Sequence, residues 1–220
     1  MHKSVHNLIQ IEKEIQSNII NLDTTTKPPK IIAVSKTHPT ASILPLINHG
    51  HLDFGENKVQ EAIDKWSDII NKKNSIKLHL IGRLQTNKVK FALKIFDYIH
   101  SLDSEKLANK ISDEQIKQGK KPKIFIQVNI GNEDQKSGIN KERLDDFYKV
   151  CKNLNLDIIG TMCIPPNNGN TENFFFEMSN INQKLNFKEL SMGMSGDYLE
   201  AIKNSATYVR VGSKIFGSRT

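Results

Sequence analysis

The 220-residue sequence predicts a single (β/α)8 barrel with an additional N-terminal helix. Three observations carry that prediction. Eight short apolar, strand-like runs alternate with helical ones, and each pair is joined by a short polar connection. No GxGxxG turn follows the first strand or occurs elsewhere, which argues against a doubly wound open sheet as the competing arrangement. The length suits one core, so one domain is expected over residues 1–220.

Residues 4–22 carry Val5, Leu8, Ile9, Ile11, Ile15, Ile19 and Ile20 largely at helical spacing, the stripe of an amphipathic helix that packs ahead of the barrel. The first strand is expected over Ile31–Lys36, because a β-branched apolar run after Pro28-Pro29 reads as a strand covered on both faces. Thr37-His38-Pro39-Thr40 then starts a helix through Leu46 and Ile47 and leaves His38 in a loop near the strand's exit.

Residues His51–Asn57 form a short strand ending in Gly55, Glu56 and Asn57, followed by a helix from Lys58 towards Ile70. A third strand, Lys77–Gly82, is followed by a helix opening at Arg83–Lys88. Tyr98–Asp103 is the fourth strand and its exit, with a helix through Lys117 stopped at Gly119. Lys123–Asn129 is the fifth, and the loop 131–138 leads to a helix around Arg143–Asn153. Leu156–Ile164 is the sixth strand, 165–170 a rigid Pro-Pro turn, and Phe174, Phe175, Met178, Ile181 and Leu185 mark the next helix. Glu189–Met194, a helix over Tyr198–Asn204 and a final strand Tyr208–Gly212 complete the count.

Composition narrows the function classes. No apolar run approaches the roughly 20 residues a membrane-spanning helix needs, and the polar start lacks a signal-peptide pattern, so a soluble cytoplasmic protein is expected. Cys151 and Cys163 are too few for a disulfide framework and lack CxxC spacing, and both read as structural thiols. The net charge of +7 raises the question of nucleic acid. Arginine occurs only at 83, 143, 210 and 219, and the lysines are spread along helical stretches beside Glu and Asp, which argues against nucleic acid as a partner.

In such a barrel the C-terminal strand ends carry the chemistry, so Lys36 is a candidate Schiff-base former. The loops after strands seven and eight favour an anion. Ser195-Gly196 follows strand seven, where the Ser195 hydroxyl can cap the next helix and Gly196 permits close approach; Gly212-Ser213 follows strand eight with backbone donors and a hydroxyl. Either pair alone is ordinary turn chemistry. Together with Lys36 they require a ligand with an electrophilic carbonyl and a phosphate, which pyridoxal 5'-phosphate meets. Arg210, two residues before Gly212, shares its inward face. A guanidinium there would keep a pyridine nitrogen unprotonated; pairing with a buried carboxylate is its competing role.

Several stretches together resemble a known family: Ala33-Val34-Ser35-Lys36, Phe54-Gly55-Glu56-Asn57 with Gln60-Glu61, His79-Leu80-Ile81-Gly82 with Leu84-Gln85-Thr86-Asn87-Lys88, Gln127-Val128-Asn129-Ile130 with Lys136-Ser137-Gly138, and Ser191-Met192-Gly193-Met194-Ser195 with Val209-Arg210-Val211-Gly212. In this order and over essentially the whole chain they resemble the pyridoxal phosphate homeostasis proteins, the YggS/PROSC family, which are similar to the N-terminal barrel of alanine racemase standing alone. The resemblance implies that Lys36 forms the internal aldimine, Arg210 faces the pyridine nitrogen, Ser195, Gly212 and Ser213 hold the phosphate, and Asn57 lines the ring. Lys58, and Ser213-Lys214 after the final glycine, depart from the family's usual residues.

The implied function is intracellular buffering and delivery of the cofactor without catalysis, by a monomer that serves pyridoxal-phosphate-dependent apoenzymes. The alternatives are a racemase or lyase using the same cofactor and a Schiff-base aldolase. Racemisation by two bases takes a tyrosine from a separate C-terminal domain in alanine racemase, and this sequence stops at Thr220. None of Tyr98, Tyr148, Tyr198 and Tyr208 plainly faces the mouth. Lys58 and Lys136, near strand ends, are candidate transient acceptors of the aldehyde.

Overall fold

The eight strands close on themselves. In the computed structural model, which describes residues 1–21, 27–133, 135–166 and 169–217, the helix α1 (Lys3–Asn21) precedes β1 (Lys30–Val34), α2 (Thr40–His49), β2 (Asp53–Glu56), α3 (Val59–Lys72), β3 (Lys77–Leu80), α4 (Val89–Ile95), β4 (Tyr98–Leu102), α5 (Glu105–Gln118), β5 (Lys123–Val128), α6 (Leu144–Asn153), β6 (Asp157–Cys163), α7 (Thr171–Lys184), β7 (Glu189–Met194), α8 (Tyr198–Lys203), β8 (Tyr208–Val211) and the single turn α9 (Ser213–Phe216). Neighbouring strands pair parallel in chain order, and β1 pairs with β8 from Lys30 opposite Tyr208 to Ala33 opposite Val211, closing the barrel. Parts of two expected features, the turn over 165–170 and the loop 131–138, lie outside the described residues.

Alternation along β1 shows how sequence becomes architecture. Ile31 and Ala33 pack outward into the core shared with the helices, whereas Ile32 and Val34 point inward with Tyr98, Phe125, Met162 and Tyr208. Each residue in this run is buried, as a strand covered on both faces requires, and a fully buried aliphatic side chain contributes roughly 1.5–3 kcal/mol. The strand ends at Val34, two residues short of the expected Lys36. Ser35 instead bonds to the backbone of β2 through its N–H, and Lys36-Thr37 form a turn with Thr37 in the left-handed region at φ 66°.

Helix boundaries follow local chemistry. Ser104 caps α5 by accepting the Leu107 N–H, and Gly119 ends it at φ 63°, the expected stop. Helix α1 buries Val5, Leu8, Ile11, Ile15 and Ile19 against α2, α8 and α9, while Ile20 is 66% exposed and drops out of the expected stripe. Among the described residues no helix is long and apolar enough to cross a membrane.

Candidate functional site

The C-terminal ends of β1, β2, β7 and β8 surround a cavity of about 310 Å³, and all six residues singled out in the sequence line it: Lys36, Asn57, Ser195, Arg210, Gly212 and Ser213. His38 lines it too, its ring stacked on Phe216 with centroids 4.7 Å apart. Val34, Ile81, Ile164 and Met194 supply apolar wall. The sequence reading passed over these four, although each stands in or just beyond a strand.

Lys36 sits half-buried on its turn, and the residues either side of it are tied to α3. The Ser35 hydroxyl donates to Glu56 Oε1 at 2.8 Å, Lys65 Nζ donates to the Ser35 carbonyl at 2.8 Å, and the Thr37 N–H donates to Glu61. Lys65 joins the two carboxylates, 2.9 Å from each, and Trp66 Nε1 adds a third bond to Glu56 Oε1. Burial raises the Glu61 pKa, but the bonds from Thr37 and Lys65 outweigh it and leave a net lowering. A turn in left-handed geometry costs energy for a β-branched residue. The bonds at Ser35 and Thr37 hold that geometry, and with it the lysine's direction.

Asn57 is placed by close packing. A Cβ on Gly82 would come within 2.3 Å of the Asn57 carbonyl oxygen, so only glycine lets the chain after β3 lie against the chain after β2. Gly212 lies less tightly across the barrel seam, where an added Cβ would meet Val34 Cβ and its carbonyl oxygen, both at 3.3 Å.

Ser195 does not cap the helix that follows it. Asp197 stands before α8 and accepts the Met194 N–H, whereas Ser195 Oγ accepts the N–H of Gly212 at 3.1 Å and of Lys214 at 3.4 Å. The reason is topological: β7 and β8 are neighbours, and their exit loops meet above the barrel. The hydroxyl thus marks one point on which two backbone donors of the last loop converge. Lys214 turns away from this point. Its ammonium bonds Glu14 Oε2 at 2.9 Å and Tyr198 Oη at 3.0 Å, and Tyr198 also donates to Glu14, so the charge ties the last loop to α1.

Arg210 is buried, 4% exposed, and donates from Nη1 to Ser191 Oγ at 2.7 Å and from Nη2 to the Cys163 carbonyl at 2.9 Å. No described carboxylate pairs with it within ion-pair distance, which removes the competing role. Burial lowers its pKa from the usual guanidinium value, opposed by Cys163 and Asp197.

Among the described residues none of the four tyrosines considered lines the cavity. Tyr98 and Tyr208 are buried at the opposite end of the barrel, with the Lys30 ammonium over both rings. Tyr148 packs edge-on against Phe187, and Tyr198 is engaged with Glu14. Lys58 is exposed ahead of α3, and Lys136 pairs with Glu133; neither borders the cavity. Cys151 and Cys163 are free and buried, and burial pushes both thiols up to about 12, as structural thiols should be.

Residues 12–220 match the family described as the alanine racemase N-terminal domain. A pyridoxal phosphate homeostasis protein of Pasteurella multocida is 35% identical over 97% of this chain and 96% of its own, and one from Synechocystis is 38% identical over 88% and 94%. The solved structure of PipY from Synechococcus elongatus with pyridoxal phosphate bound superposes with a TM-score of 0.81 at 33% identity, covering 92% of this chain and all of that one. Alanine racemase from Clostridium difficile shares the fold, with a TM-score of 0.72 at 15% identity over 99% of this chain and 57% of the enzyme.

Proposed function

The chain belongs to the alanine racemase N-terminal-domain family, and from that premise we propose that it is a pyridoxal phosphate homeostasis protein, which binds pyridoxal 5'-phosphate at the C-terminal mouth of its barrel and keeps it for delivery. The cofactor, when bound, supplies an aldehyde that condenses with a primary amine and an electron-withdrawing pyridine ring. The residues present fit it. Lys36 brings the amine on a braced turn, and the Gly212 and Lys214 N–H groups converge on the Ser195 hydroxyl, with Ser213 also lining the cavity, a cluster of donors suited to a phosphate. Asn57 borders the ring. Arg210 offers a nitrogen heterocycle only donors, because a guanidinium has no acceptor, and so keeps a ring nitrogen unprotonated.

The observation that carries this reading is the meeting, in one cavity, of Lys36 with the Ser195–Gly212 pair and Arg210. We read the role as binding without turnover. Two-base racemisation needs an acid or base on each face of the substrate, and besides Lys36 and Arg210 the only ionisable side chain among the described residues lining the cavity is His38. The closed barrel exposes no edge strand for pairing, in keeping with a monomer, and buried free thiols suit the cytoplasm. Apoenzymes that use the cofactor are the recipients. The whole of 1–220 acts as one cofactor-binding domain.

The test is an absorption spectrum of the cofactor-loaded protein before and after borohydride, with mass mapping of the modified lysine. A visible band that borohydride bleaches, with the added mass on Lys36, is expected. No band, or mass on another lysine alone, refutes the reading. Measurable α-proton exchange from amino acids in deuterated water would return the racemase alternative.

A further inference from the structure

An unbroken line of hydrogen bonds crosses the barrel interior beneath the cavity. It runs from Arg210 Nη1 to Ser191 Oγ at 2.7 Å, from Ser191 Oγ to His100 Nδ1 at 2.9 Å, from His100 Nε2 to His79 Nδ1 at 3.0 Å and from His79 Nε2 to Asp53 Oδ1 at 3.0 Å. The five residues stand on β8, β7, β4, β3 and the first position of β2. Ser191 and both histidines are fully buried, and only Asp53, 20% exposed, reaches the far end. Each imidazole is also clamped by a stacked ring, His79 on Tyr98 at 4.2 Å and His100 on Phe125 at 4.3 Å.

Donor inventory fixes the sense of every link. A guanidinium can only donate, so Ser191 Oγ accepts from Arg210, but with two lone pairs it could accept from His100 as well. The sense is fixed from the other end: the Asp53 carboxylate can only accept, so a neutral His79 donates from Nε2 and is bare at Nδ1. His100 therefore donates to it from Nε2, and its own bare Nδ1 accepts the Ser191 proton. Burial favours the neutral form of both rings, lowering the pKa of His79 and, further, that of His100. All four bonds therefore point the same way, from a cation to an anion, and polarise one another.

We infer that Asp53 is coupled to Arg210 across the barrel through His79, His100 and Ser191, and that these four are positioning residues that fix the direction of the guanidinium facing the cavity. The arrangement solves a physical problem. A buried cation without a paired carboxylate is costly, yet a carboxylate placed beside Arg210 would occupy the donors it offers the ligand. The relay ends on a carboxylate at the opposite end of the barrel and so orients the Ser191 acceptor of Arg210 while leaving the mouth clear. The assignment of Arg210 to the ring nitrogen rests on the cofactor reading above; the direction and continuity of the relay do not.

Nitrogen-15 spectra of histidine-labelled full-length protein at pH 7.5, without added cofactor, test the relay independently of ligand binding. Both rings should appear neutral, protonated at Nε2 and bare at Nδ1. Either ring with a proton on Nδ1 overturns the inference. Ser191→Ala should shift the nitrogen resonances of His79 as well as His100, because it removes the donor to His100 Nδ1 and successive bonds in the line polarise one another; unchanged His79 resonances overturn the coupling. Should that variant not fold, Ser191→Thr, which keeps the hydroxyl, should retain the wild-type tautomers, and their loss counts against the relay. In cofactor-loaded protein, Asp53→Asn should move the visible absorption maximum while borohydride still fixes the mass on Lys36; an unmoved maximum overturns the link to the cavity. A protein that takes up no cofactor refutes the proposed function, and the tautomers still decide the relay.

Discussion

Lys65 Nζ lies 2.9 Å from Glu56 Oε1, and both side chains are shielded from water, 9% and 0% exposed. The same ammonium holds the Ser35 carbonyl, so an ion pair on α3 and β2 braces the backbone immediately before Lys36. Removing one partner leaves a buried charge behind, a loss of about 3–5 kcal/mol for a pair of this kind. Lys65→Met should therefore lower the urea midpoint strongly, and Lys65→Met combined with Glu56→Gln should recover part of the loss. Equal midpoints for wild type and Lys65→Met would show that the pair adds nothing to the fold.

Ser195 bears on the phosphate and not on the ring. A hydrogen bond to a charged group is worth about 1.5–3 kcal/mol, which corresponds to a roughly 10- to 100-fold change in affinity. Ser195→Ala should weaken pyridoxal 5'-phosphate binding by that factor and leave pyridoxal, which lacks the phosphate, nearly unaffected. Fluorescence titration with both ligands gives the two constants, and an equal loss for both would move Ser195 out of the anion site.

Acid should destabilise the protein earlier than its carboxylates alone require. Burial lowers the pKa of His79, His100 and His51 in the folded state. Below the unfolded value of about 6.5 the unfolded chain takes up protons that the folded chain refuses. The stability associated with the neutral rings is thus complete above that pH and declines as pH falls below it, by up to about 1.4 kcal/mol per pH unit for each ring. Asp53 extends the effect. Burial raises its pKa, but the bond to His79 and the nearby positive groups leave it lowered overall, so its share is lost only at more acid pH. Urea midpoints should fall between pH 7.5 and 5.5; constancy over that interval would mean that the rings titrate alike in both states.

Much of this architecture could be read along the chain because its signals are local. Ile31 to Val34 and Ile124 to Ile126 are apolar runs that only a covered strand explains, and Gly119 ends its helix by its own backbone freedom. The mouth of the barrel follows from strand order, which places Lys36, Ser195, Arg210, Gly212 and Ser213 at one cavity, whereas Asn57 is assigned to it through the family resemblance. The partners of these residues were beyond local reading. Ser195 bonds a loop 17 residues on, and His100 bonds Ser191 across a separation of 91. A weaker signal was present even so. His79 between Leu78 and Leu80, and Ser191 between Leu190 and Met192, are polar residues at inward positions of strands that are otherwise apolar, where a polar side chain must have a partner.

Gly82 offers the sharpest test of how packing places a binding residue that it does not itself form. A methyl group there would sit 2.3 Å from the Asn57 carbonyl oxygen and 2.8 Å from its Cα, both backbone atoms that cannot rotate aside. The Gly82 carbonyl also accepts the Ser101 hydroxyl at 2.7 Å, which anchors the β3 exit to β4 and leaves the Asn57 segment as the part that must yield. Gly82→Ala should therefore displace Asn57 within the cavity, weaken binding of pyridoxal and pyridoxal 5'-phosphate to a similar degree, and cost about 1–3 kcal/mol of stability by overpacking. The residue before Lys36 is braced by Glu56 of β2 and Lys65 of α3, neither of which is among the nearest contacts of an added Cβ at Gly82, so borohydride should still direct the cofactor's mass to Lys36 in this variant. Loss of the phosphate ligand alone, with pyridoxal binding intact, would show that the β2 exit has no part in holding the ring.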